Sequence, residues 1–226
     1  MGFLQKLFGG GDSAPAAAPA APAAAQPAKK AVEHAPPPTD PIPMIEESEA
    51  EGELKELYEA SKQTLQLPVV PNLDKVLGNS PPMLEGTNAV IASVLGRTSI
   101  PGPVVSMVLY SIAAQSDCNY CGSFHKLGCR TLGVDEATLT ALSENMADVT
   151  PERVQAIVAF AVKSAKTPTA VGQADYDALR EMGISDAEIV EIVTLAALGV
   201  YLDVLADALK VDVDEFITQG LEATAA

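Results

Sequence analysis

Cys118, Cys121 and His125 lie at i, i+3 and i+7, a spacing that places two thiols and an imidazole on one face of a helix. Two cysteines one turn apart can close a disulfide. At a helix N-terminus the unpaired backbone N–H groups favour thiolate over thiol, and thiolate is the nucleophile. His125, one turn beyond Cys121, can take the thiol proton or hold an imidazolium beside a thiolate. Attack on a peroxide would leave a sulfenic acid, which the neighbouring cysteine condenses to a disulfide that a dithiol reductant reopens. Cys121, nearer His125, is read as the attacking thiol and Cys118 as the resolving one. Cys129 continues the stripe, so a Cys₃His zinc set is conceivable. Geometry argues against it: at ~1.5 Å rise per residue Cys118 and Cys129 sit roughly 16 Å apart, whereas zinc needs its ligands within ~2.0–2.3 Å. Neither a metal nor another cofactor is therefore expected, and Cys129 is assigned to the core.

The elements that must position these groups are all helices. Apolar spacing and helix-end signals predict helices over 47–65, 72–77, 81–95, 104–114, 118–132, 135–143, 154–165, 173–182 and 189–209. Thr150 before Pro151 reads as an N-cap, and Ser185 to Glu188 as a capping box. No alternating strand pattern stands out, so the fold class is all-α. Three zones follow: a short amphipathic segment over 1–11 with Phe3, Leu4, Leu7 and Phe8 on one face, a disordered Ala/Pro-rich linker over 12–40, and a helical domain over 41–226. The first segment has the layout of a docking peptide for a partner or protein shell. Gly2 is not a myristoylation signal, because Lys6 occupies the position that needs Ser or Thr.

The 226 residues carry 30 Asp+Glu against 14 Lys+Arg, a net charge of −16 that falls on the helical domain. Such a surface repels phosphates, which excludes nucleic acid as a partner. Three clustered cysteines make no disulfide scaffold, and a cytoplasmic, reducing compartment is the expectation. The apolar run 189–209 is broken by Glu191, Asp203 and Asp207, so no membrane span is expected.

These residues resemble the alkylhydroperoxidase D and carboxymuconolactone decarboxylase superfamily, in its peroxidase-related branch. The resemblance covers about residues 46–212. It is carried by Val70-Pro71-Asn72, the Asn79-Ser80-Pro81 turn, Cys118-Asn119-Tyr120-Cys121 with His125, and Gly183 to Glu188 before the late apolar helix. It implies an all-helical fold, a hydroperoxide substrate, a dithiol reductant, and homo-oligomers, trimers or hexamers, with the thiols near subunit interfaces. It also implies a relay glutamate twelve residues before the first cysteine, where this chain has Ser106. A serine cannot act as a general base near neutral pH. Two readings of the late helix follow: Asp203 and Asp207 face solvent or a subunit boundary, or Asp203 replaces the missing carboxylate. The leading expectation is a thiol-dependent peroxidase. The alternatives are a thiol-disulfide exchange factor and a non-catalytic relative with a docking tail.

Overall fold

The structure, a computed structural model, describes residues 34–224. The expected docking segment 1–11 and most of the Ala/Pro linker lie outside the described residues. Among the described residues ten α-helices follow one another: α1 Gly52–Leu65, α2 Asn72–Leu77, α3 Pro81–Arg97, α4 Gly102–Ser116, α5 Asn119–Thr131, α6 Glu136–Glu144, α7 Glu152–Lys166, α8 Gln173–Glu181, α9 Asp186–Ala208 and α10 Glu215–Ala223. Among the described residues there is no strand, and the all-α expectation holds.

Several helix ends differ from expectation for local reasons. The first helix begins at Gly52 and not at 47, because Gly52 takes a left-handed φ of 53° and residues 47–49 form a turn closed by Glu49 N–H to the Glu46 carbonyl at 2.9 Å. Pro151 takes the N-cap place of α7 that Thr150 was expected to hold. Ser185 does cap α9, accepting from Glu188 N–H, while the Glu188 carboxylate accepts from Ser185 N–H at 2.7 Å. Helix α10 was not anticipated. Its apolar side, with Ile217 fully buried, lies on α5. Gly220 makes that approach possible, since a Cβ there would stand 2.8 Å from Leu127 Cδ2.

Helix α4 is the central rod. It packs against α5, α6, α7 and α9, and ten of its residues are buried. One apolar cluster joins Val108, Leu109 and Ile112 of α4 to Ile157 and Val158 of α7 and Ile192 and Leu195 of α9. Each such side chain stabilises the fold by roughly 1.5–3 kcal/mol on burial. A second cluster gathers Tyr58, Leu84, Leu198 and Leu202 around Cys118 and Cys121. Helix α9 serves both clusters. Its Glu191 reaches the α3–α4 turn, where Oε2 accepts from Ser99 N–H at 2.7 Å, Ser99 Oγ at 2.8 Å and Thr98 Oγ1 at 2.9 Å. Those bonds hold its carboxyl below the usual range despite partial burial.

Gly199 lets α9 lie close on α4: a Cβ there would meet Ile112 Cδ1 and Cγ2 at 3.2 Å. By length and composition α9 is apolar enough to cross a membrane, and among the described residues it alone is so. In the fold it is instead a core helix with half of its apolar stretch buried. Its outer side leaves Val190, Val193, Tyr201 and Val204 exposed, beside Met83 and Val90 of α3. Tyr201 and Thr87 join these two faces through their hydroxyls at 2.8 Å.

Candidate active site

The dithiol sits where α4 turns into α5. Asp117 ends α4 in the left-handed conformation, with φ 62°, and Cys118 N–H returns to the Ala113 carbonyl at 3.0 Å. Cys118 is then the N-cap of α5, and Cys121 lies in the first turn. The N-cap is thus the cysteine itself. Both thiols are free and buried. Their surroundings come from α9, where Asp203, one turn beyond Gly199, is only 5 % exposed. The two sulfurs and a carboxylate oxygen of Asp203 all lie within 4.8 Å of one another. The structure therefore brings together Cys118, Cys121 and Asp203, and it turns Asp203 inward, while Asp207, one turn on, stays half-buried.

Burial is the largest influence on Asp203 and raises its carboxyl to about 6 from an ordinary 3.8. The approach of the Cys121 thiol, the Ser116 hydroxyl and the Cys118 thiol opposes the rise, and Asp207 adds to it. These are close approaches and not a fully bonded carboxylate: Oδ2 is buried without a hydrogen-bond partner. The Cys121 thiol is pushed strongly upward. Proton sharing with Cys118 contributes most, then burial, then the charge of Cys118, and only then the Asp203 charge. A helix N-terminus offers about 0.3–1 kcal/mol to an anion, less than one pH unit, so proton sharing and desolvation outweigh it. The depressed thiol expected from the helix end is therefore not the state of the Cys121 thiol in this dithiol.

His125 is buried on α5 but does not join the close cluster. Its ring stands edge-on to Phe124 with centroids 5.5 Å apart. Nδ1 is buried without a hydrogen-bond partner, and desolvation lowers the imidazole to about 4. The side chain is thus neutral at pH 7, which disfavours the imidazolium option and leaves a neutral base. Ser106, at the relay glutamate's position, is fully buried on α4, and its Oγ has no hydrogen-bond partner. Cys129 is buried in the first core cluster, and burial pushes its thiol up to about 12.

Sequence reasoning missed the polar network beneath the dithiol. Tyr120, between the two cysteines, donates its hydroxyl to Asp214 Oδ2 at 3.0 Å. Asp214 Oδ1 accepts from Asn72 N–H at 2.9 Å at the start of α2. Nearby, buried Asp74 accepts from Ser61 Oγ. The signal available in the sequence is the tyrosine inside the C-x-x-C string, whose hydroxyl needs a partner once buried.

No protein-family model matches the chain, and no curated protein matches it. Solved structures do. The alkylhydroperoxidase AhpD core of an uncharacterized peroxidase-related protein from Ralstonia eutropha JMP134 aligns with TM-score 0.69 at 21% identity, over 79% of this chain and 96% of that one. An uncharacterized peroxidase-related protein from Silicibacter sp. TM1040 aligns with TM-score 0.66 at 21% identity, over 79% and 90%. The debrominase Bmp8 in its apo form aligns with TM-score 0.66 at 19% identity, over 81% and 97%. The fold is that of the alkylhydroperoxidase D-like proteins. Within it this chain is similar to peroxidase-related members and to a debrominase.

Proposed function

We propose that this protein is a thiol-dependent, peroxidase-like oxidoreductase that cycles Cys118 and Cys121 between dithiol and disulfide. The observation that carries the reading is the Asp203 carboxylate held within 4.8 Å of both sulfurs. Because the Cys121 proton is firmly held, a preformed thiolate is not available, and attack needs a base. A carboxylate that titrates at about 6 suits that task at neutral pH. Asp203 would take the Cys121 proton as sulfur attacks the peroxide O–O bond. The released alkoxide is protonated to the alcohol, and Cys121 becomes a sulfenic acid. The Cys118 thiol then attacks that sulfur, water leaves and the disulfide closes. An external dithiol restores the pair by exchange, taking the disulfide itself. His125 enters as a neutral base one helical turn from Cys121, secondary to Asp203. Asp203 thus stands in for the relay carboxylate that Ser106 does not supply.

The test is stopped-flow oxidation of the reduced protein by an organic hydroperoxide. A rate no greater than that of free cysteine would sink the peroxidase reading. The buried, partnerless Ser106 favours one second reading, protein thiol-disulfide exchange, which needs the pair but no peroxide relay. Disulfide exchange with a small protein dithiol that outpaces peroxide turnover would select it. Halogenated aromatics belong in the same assay, because the debrominase shares the fold.

A further inference from the structure

We propose that the reduced Cys118–Cys121 pair and Asp203 form a binding site for a thiophilic divalent cation, with Zn²⁺ the fitting ion. The donor set differs from the Cys₃His stripe excluded by helix geometry: Cys129 and His125 take no part, and the third ligand arrives from α9. Three donor atoms within 4.8 Å of one another already approximate one face of a coordination shell. With metal–sulfur and metal–oxygen distances of about 2.3 and 2.0–2.2 Å, a tetrahedral ion holds its ligand atoms roughly 3.3–3.8 Å apart. Closure by about 1 Å lies within reach of side-chain rotation.

A second, independent feature points the same way. Asp203 is more than nine-tenths buried, and its Oδ2 has no hydrogen-bond partner. A cation would satisfy that oxygen and offset the cost of burying it. Two thiolates select soft or borderline ions over Mg²⁺ and Ca²⁺. The net charge of −16 raises the local cation concentration.

Binding is an acid–base event without electron transfer. Both thiols lose their protons to solvent, and their sulfurs and the carboxylate bond the ion, so that the site carries one net negative charge. Three protein ligands leave a tetrahedral ion one position for solvent. A disulfide has no thiolate to offer, so metal binding and oxidation exclude each other. The ion would guard the reduced pair, and oxidation would release it.

The test uses the full-length chain, reduced and stripped with chelator. It is titrated with Co²⁺ and then with Zn²⁺ against a chromophoric chelator. One ion per chain is expected, with thiolate-to-cobalt charge-transfer absorption that Zn²⁺ abolishes. Cys118→Ser and Asp203→Asn should each weaken binding by more than the about 10–100-fold that loss of an outer-shell partner costs. Cys129→Ala should bind like the wild type, and the disulfide form should not bind. Absence of the cobalt–thiolate band in the reduced protein would overturn the proposal, as would unchanged affinity in Asp203→Asn. If Asp203→Asn does not fold, Asp203→Ser serves with the same expectation. The titration contains no peroxide, so tight binding without turnover would sink the peroxidase reading alone, and turnover without binding would sink this one alone.

Discussion

Asp203 of α9 and Cys121 of α5 face each other across the helix interface, a carboxylate oxygen and a thiol sulfur within 4.8 Å, both buried. The approach sets a carboxylate beside the dithiol, a group that no residue of α5 carries. Asp203→Asn keeps the shape and removes the base. It is expected to slow thiol oxidation by about 10²-fold or more, within the range of general-base catalysis, while circular dichroism shows the fold intact. The wild-type rate should rise with pH through about 6 as the carboxylate forms, and the variant should lose that limb. Stopped-flow fluorescence across pH reads both effects.

The buried Asp74 makes stability depend on pH. Burial raises its carboxyl to about 6 from 3.8, Asp214 adds to the rise, and the Ser61 hydroxyl opposes it. The folded state therefore binds a proton more tightly than the unfolded chain. Its stabilising share is complete below pH 4 and is lost as pH climbs through 6. Asp74→Asn stays neutral at every pH and can still accept from Ser61. It should be more stable than the wild type at pH 7, by about 1–3 kcal/mol, and equal to it near pH 4. Thermal melts at the two pH values decide.

Gly199 sets how closely α9 approaches α4. Gly199→Ala puts a Cβ 3.2 Å from two Ile112 atoms and 3.4 Å from Leu109 Cδ2, which should cost about 1–3 kcal/mol as an overpacked contact. The helix would shift outward and carry Asp203 from the sulfurs, so thiol oxidation should slow in parallel with the loss of stability. Adding Ile112→Val makes room and should recover part of both, read as Tm and oxidation rate.

Cys129 and the dithiol should separate cleanly in chemistry. Cys129 has no exposed surface, and its thiol titrates at about 12. Native alkylation should spare it. Cys129→Ala should keep the Cys118–Cys121 disulfide and cost only about 1 kcal/mol, the small end of core truncations. Mass mapping after differential alkylation reports the pattern.

The exposed Val190, Val193, Tyr201 and Val204 follow one side of α9, with Met83 and Val90 adjoining. An apolar strip along a whole helix suits contact with another copy of the chain. Sedimentation equilibrium is expected to show a species larger than a monomer. Val190→Asp with Val204→Asp should return it to the monomer.

The helices were legible because their apolar spacing, prolines and glycines agree with one another. Ser185 to Glu188 announced α9, and Pro81 opened α3 as expected. The closeness of Cys118 and Cys121 was legible from their spacing, whereas His125, expected beside them from the same spacing, lies outside the close cluster. The partner of the dithiol was legible only as one of two readings, since helical periodicity cannot say which side of α9 meets α5. That choice depends on Gly199 meeting Ile112, a contact between distant segments. Helix α10 escaped notice because it is short and carries Gly220 in mid-helix, where glycine normally weakens a helix. Leu127 is what requires the glycine there. The Ser61–Asp74 and Tyr120–Asp214 bonds escaped for the same reason: nothing in the local pattern of either residue names a partner on another helix.

Tyr120 links the turn between the two cysteines to Asp214, and Asp214 stands at the N-cap of α10. The carboxyl-terminal residues are thereby wired to the spacing of the sulfurs. Loss of α10 would strip Tyr120 of its acceptor and lift Ile217 off α5, so a change near the end of the chain is felt at the helix start that holds both thiols.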